Sequence, residues 1–145
     1  MRILHGVDLV SVDRIRKIVE RHGKRGLRRL WSSEEIEDLI GEAVMASDDS
    51  NLIDLTPGQI ASLAARFASR EATVKALGTG FSLGIRMRDI HVSRDPLGAP
   101  TLFLTGRAAE RAQELGVASW TLSLTHEAGL ALASVVMVAK DPQGS

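Results

Sequence analysis

A carboxylate at position 71 stands where a helix should be apolar. Counting back from Leu77, apolar residues recur at Val74, Phe67, Ala64, Leu63 and Ile60, the spacing of one buried helix face. Glu71 falls four residues after Phe67 and three before Val74, so it interrupts that face. Burial strips a carboxylate of hydration, and without a partner the group neutralises or the fold weakens. Lys75 follows at i+4, acid first, the orientation that pairs well along a helix. The pair is either a surface ion pair or a charged site facing a ligand. Gly78-Thr79-Gly80 comes after this helix, where the dipole is negative, so it terminates the helix rather than cradling phosphate as loops before helices do. Phosphate bound there would need a metal ion or basic side chains to supply the positive charge. Asp8 sits in the apolar run Ile3 to Val12, either as a turn or helix-entry residue or as a carboxylate held inside. A short acidic side chain on a rigid strand suits metal ligation. His126, taken alone, is more often a structural histidine than a ligand.

The elements that must position these residues are legible in outline. Ile3 to Val12, rich in branched residues, predicts a buried strand. Ser11 or Asp13 opens a helix with Val12, Ile15, Val19 and His22 inward and Arg14, Lys17, Arg21 and Lys24 on a neighbouring face. Residues 32–40 predict a short helix with acids in its first turn, and 41–51 a surface loop. Thr56-Pro57-Gly58-Gln59 is the start signal of the long helix that carries Glu71: a Thr N-cap, Pro at the first position and Gln closing a capping box. Two strands at 89–93 and 101–104, a helix over 106–115, and strands at 120–125 and 130–138 complete the chain. This order predicts an α+β fold, helices packed on a mostly antiparallel sheet.

Composition excludes several classes. The 145 residues contain no cysteine, so neither a disulfide framework nor a thiolate metal site is available. No apolar run approaches a membrane span, and no signal-peptide pattern precedes Asp8, so no membrane partner is expected. Acids and bases balance at 18 each, but they are segregated. Arg14 to Arg29 carries a net charge of +7, whereas Ser32 to Asp54 carries −8 and no Lys or Arg. A basic helix face is either solvated, paired with that acidic segment, or an anion-binding surface. With no Tyr, three Phe and two Trp, the chain lacks the stacking platforms of nucleic-acid binders, so an acidic protein partner fits better.

Three separated segments resemble one family. Gly6 to Ile15 (GVDLVSVDRI) is similar to its opening motif, Phe67 to Gly80 (FASREATVKALGTG) to its central signature, and Leu122 to Glu127 (LSLTHE) to its closing Ser/Thr-His motif. The turn DPLGAP between the last two also fits. The chain resembles the holo-acyl-carrier-protein synthases, the small phosphopantetheinyl transferases, outside roughly Gly41 to Gly58. That resemblance implies a phosphopantetheinyl transferase fold, a single domain over residues 1–140 and a frayed tail at 141–145. It implies transfer of the phosphopantetheine arm of coenzyme A to a serine of an apo acyl carrier protein, with adenosine 3′,5′-bisphosphate released and magnesium required. On matching positions, Asp8 and Glu71 would hold the metal, and Lys75 would contact the pyrophosphate, making these three the catalytic set. Gly78, Gly80, Thr125 and His126 would face the coenzyme, Thr125 and His126 at its phosphate. Arg14, with Arg21 and Arg25 behind it, would dock the carrier protein. The family is typically trimeric with sites between subunits, and cytoplasmic, in fatty-acid biosynthesis. A non-catalytic binder of carrier protein or coenzyme A with the same fold is the alternative. Departures are His5 in place of a small residue, Arg70 in place of Lys, and Val10 where larger relatives have a third carboxylate.

Overall fold

The computed structural model describes residues 1–142. The chain runs β1 (Arg2–Ser11), α1 (Val12–Leu30), α2 (Ser33–Leu39), α3 (Glu42–Met45), α4 (Pro57–Ala76), β2 (Ile90–Arg94), β3 (Pro100–Leu104), α5 (Gly106–Glu114), β4 (Val117–Glu127) and β5 (Leu130–Ala139). The expected α+β architecture is present, but the strands divide into two antiparallel sheets. One has the order β1-β5-β4, and β2-β3 forms a separate hairpin. β5, hydrogen-bonded on both sides, alternates buried Ala131, Ala133, Val135, Met137 and Ala139 with half-exposed residues, the period-2 pattern of a sheet covered on one face.

α4 is that cover. Both halves of its capping box form: Gln59 N donates to Thr56 Oγ1 at 3.1 Å, and Thr56 N donates to Gln59 Oε1 at 2.9 Å. Its sheet-facing residues are small, with Ala64, Ala68 and Ala72 fully buried, so helix and sheet approach closely. The opposite sheet face is bare and apolar, with Ile3 57% and Leu9 55% exposed. His5 lies on that open face, its Nε2 2.9 Å from Ser134 Oγ, and so does not crowd the strand.

Three local expectations change. α1 is broken at Gly23, whose φ of 59° and ψ of −148° no helix allows. His22, just before the break, is exposed rather than inward. The 41–51 loop contains one helical turn that buries Met45 at 2% exposure. Of the expected frayed tail, Asp141 forms an ion pair with the N-terminal amine, and residues 143–145 lie outside the described residues.

Candidate active site

Gly6 is where β1 crosses α4. A Cβ built there would lie 1.8 Å from the carbonyl oxygen of Ala72, so only glycine permits this approach. Two residues on, Asp8 shares the face that meets α4, opposite Ala133 on β5. Lys75 on α4 reaches back, its Nζ donating to the Val7 carbonyl at 2.9 Å and to Asp8 Oδ1 at 3.1 Å. One helical turn earlier, Glu71 is half-buried, and burial pushes its carboxyl above the usual range, with the Asp8 charge adding to the rise. Arg14 and Lys75 act in the opposite sense without cancelling it. Two carboxylates 63 positions apart in sequence therefore repel one another across a strand–helix contact. Gly6→Ala is expected to lower stability by about 3 kcal/mol and to part Asp8 from Glu71. Thermal melts and turnover on the same sample check it; wild-type values in both would mean that the crossing does not set the site.

The donor set is oxygen-only, and no cluster of three or more acidic or histidine side chains suited to a metal exists among the described residues. Two carboxylates held together at the cost of mutual repulsion suit a hard divalent cation that takes its remaining ligands from water and substrate phosphate. They fit magnesium better than zinc, for which nitrogen and sulfur ligands are usual.

Gly78 and Gly80 have φ of 75° and 59° and end α4 as expected. Their amides are already committed: Gly78 N donates to Lys75 O at 3.1 Å, Thr79 N and Gly80 N to Val74 O at 3.2 and 3.3 Å. What the glycines offer is space, since nothing lies within 4 Å of a Cβ at either position. Thr125 and His126 lie on β4 and line a depression of about 280 Å³ with Ser62, Ala65, Arg94 and Leu124. His126 pairs with Ala131, which pairs with Val10, so two strand spacings, roughly 10 Å, separate it from β1 within one chain. The structure joins Asp8, Glu71 and Lys75 but leaves His126 apart from them.

Arg14 sits close to both the basic face and the carboxylates. Its guanidinium carbon lies 5.3 Å from the centre of the Phe67 ring, and its charge reaches Glu71. Arg14, Arg21 and Arg25 make no ion pair among the described residues, whereas Lys24 and Arg28 meet Asp48 and Glu42 of the acidic segment at 3.3 and 3.9 Å. Sequence reasoning missed Arg66. Its side chain is 2% exposed, its Nη2 donates to Asp38 Oδ2 at 2.7 Å, and its Nη1 has no partner among the described residues. The available signal was an arginine inside the apolar stretch of α4, four residues after Ser62 and four before Arg70.

Comparison with known proteins identifies the family. The profile of the 4′-phosphopantetheinyl transferase superfamily matches residues 5–133. A holo-[acyl-carrier-protein] synthase of Solibacter usitatus is 38% identical over 132 residues, 91% of this chain and 94% of that protein. One from Halorhodospira halophila is 41% identical over 133 residues, 92% and 94% of the two chains. Among solved structures, the Helicobacter pylori holo-[acyl-carrier-protein] synthase in complex with coenzyme A superposes with a TM-score of 0.71 at 32% identity, covering 93% of this chain and all of that one. The Neisseria meningitidis enzyme gives 0.73 at 29% identity, covering 93% and 97%. The chain therefore belongs to the 4′-phosphopantetheinyl transferase superfamily, among its holo-[acyl-carrier-protein] synthases.

Proposed function

We propose that the chain transfers the phosphopantetheine arm of coenzyme A to a serine hydroxyl of an apo acyl carrier protein. The observation that carries this is the meeting of Asp8, Glu71 and Lys75 at one strand–helix crossing. The serine oxygen forms a bond to the β-phosphorus, the bond to the bridging oxygen breaks, and adenosine 3′,5′-bisphosphate leaves with the electron pair. Magnesium, held by Asp8 and Glu71, would neutralise the charge building on the diphosphate. Lys75, more than half exposed, is placed to turn from Asp8 toward a phosphate oxygen and stabilise the leaving group. Glu71, with its raised proton affinity, is suited to take the serine proton, and both of its duties require the ionised form at the outset. The Gly78–Gly80 loop leaves room for the pantetheine chain. The direct experiment weighs apo carrier protein after incubation with coenzyme A and magnesium. One phosphopantetheine added per carrier is expected; an unchanged mass would favour a non-catalytic binding module of the same fold.

The carrier protein docks on α1, through Arg14, Arg21 and Arg25. Arg14→Glu is expected to raise KM for the carrier about tenfold or more, with a much smaller change in KM for coenzyme A, because interfacial charge acts mainly on association and specificity. Equal changes in the two constants would remove α1 from the interface.

The active unit is a homotrimer with sites between subunits. The bare apolar sheet face supports association, and the in-chain separation of His126 from Asp8 supports a site completed by a neighbour, where Thr125 and His126 meet the coenzyme's phosphate. Mixing inactive Asp8→Ala and His126→Ala variants should restore part of the activity through hybrid sites. No recovery despite proven subunit exchange would confine the site to one chain. Each subunit is a single transferase domain over residues 1–140.

A further inference from the structure

The break in α1 is held by one residue from the acidic segment between α2 and α4. A helix interrupted at Gly23 leaves polar backbone groups on either side without intrahelical partners. Asn51 supplies three partners. Its carbonyl oxygen accepts from Lys24 N at 2.8 Å, its Oδ1 accepts from Arg25 N at 2.9 Å, and its Nδ2 donates to the His22 carbonyl at 2.9 Å. Asparagine carries its acceptor and its donor on separate atoms, so one short side chain reaches both groups; aspartate has no donor, a serine hydroxyl is a single atom and glutamine is longer. Gly23 completes the fit, because a Cβ there would lie 2.1 Å from Asn51 O. Beside it, Lys24, 6% exposed, turns into the segment and meets Asp48, so its charge is withdrawn from the outer face.

The break matters because of where the free arginines sit. On an unbroken helix Arg14, Arg21 and Arg25 would project within roughly 40° of one another, a single basic stripe. The dihedral angles at Gly23 take Arg25 off that stripe, so a partner meets two facets, Arg14 and Arg21 before the break and Arg25 after it. We infer that Asn51 is a positioning residue for carrier-protein docking: by pinning the break, it sets the direction of the second basic facet relative to the first. This rests on the reading of α1 as the docking helix. It gives the acidic connection between α2 and α4 a role in choosing the partner rather than in the chemistry.

The test uses the full chain, a bacterial apo acyl carrier protein and coenzyme A. Asn51→Ala should raise KM for the carrier roughly three- to tenfold while kcat and KM for coenzyme A stay at wild-type values. Asn51→Asp, which keeps the Oδ1 acceptor and loses the donor, should fall between the two. Hydrogen exchange should quicken at the Arg25 amide in Asn51→Ala, with α4 unchanged. Were Asn51→Ala to lose the fold, Asn51→Asp would carry the same ordering of constants. Faster exchange at Arg25 with unchanged KM for the carrier, or with equal rises in both KM values, would overturn the inference while leaving the transfer reaction standing. A wild-type chain that modifies no carrier at all would instead overturn the proposed function, and the inference with it.

Discussion

Glu71→Gln is expected to cut kcat/KM by about a thousandfold or more and, in the absence of metal, to raise the melting temperature at neutral pH. Both effects come from one charge. The wild-type carboxylate loses hydration between β1 and α4 and faces Asp8, so its proton affinity in the folded chain exceeds that in the unfolded chain. The native state then binds the proton more tightly, and ionising Glu71 costs stability at any pH above its folded value. That cost disappears as the pH falls through the raised pKa. Glutamine is nearly isosteric and carries no charge, so it removes the cost but holds a hard cation poorly. The stability difference between Glu71→Gln and wild type should therefore shrink on acidification, and it should shrink or reverse when millimolar magnesium is added to the wild type. Melts across pH with and without magnesium, alongside the mass assay, read all of this. A variant that turns over normally would remove Glu71 from the site. One that is inactive yet less stable at neutral pH would make its role structural.

Glu35→Ala should cost about 3–5 kcal/mol, the usual penalty for leaving one member of a buried ion pair alone. Both side chains of the Glu35–Arg70 pair are fully buried. Around them the polar groups are closely matched: Glu35 Oε1 also accepts from Ser32 N at 3.0 Å, and Oε2 accepts from Val92 N at 3.2 Å. Arg70 donates to the carbonyls of Met87 and Arg66, each at 3.1 Å. One pair thus ties α2, α4 and the β2 hairpin together, and Arg70 is the immediate neighbour of Glu71. Burial alone pushes the Arg70 pKa down and the Glu35 charge opposes that, so removing Glu35 leaves a guanidinium with little to favour its charge. Thermal and urea unfolding should show a loss of roughly 10 °C for a domain of this size. Changing both residues to Met should recover part of the loss but not all, because Val92 N would still lack its acceptor. A Glu35→Ala protein as stable as wild type would mean that water or a rearranged arginine satisfies the pocket.

Local chemistry made much of this molecule legible from its residues alone. The start of α4 follows from Thr56, Pro57 and Gln59, and its end from Gly78 and Gly80, because caps and left-handed turns depend on atoms only a few residues apart. Glu71 stood out by breaking an apolar period, and Asp8 by interrupting a strand. The trio proposed to carry the chemistry was therefore marked out in the sequence, and the resemblance of three short segments suggested its role.

What the sequence could not determine depends on partners distant along the chain. That Asp8 and Glu71 share a site is decided by the crossing at Gly6, where a missing methyl group lets a strand meet a helix whose nearest carbonyl lies 66 positions away. The burial of Arg70 against Glu35, the pairing of Arg66 with Asp38 and the hold of Asn51 on the break in α1 are equally non-local. A helical period at 100° per residue predicts one basic stripe, and nothing within α1 indicates that residue 51 will complete the hydrogen bonding on both sides of Gly23. Capping, periodicity and charge are written into neighbouring residues, so the sequence alone determined most of the elements and marked the candidate reactive groups. Register, close approach and the pairing of buried polar atoms are set only when the chain closes on itself, because each depends on which distant backbone excludes water from which group.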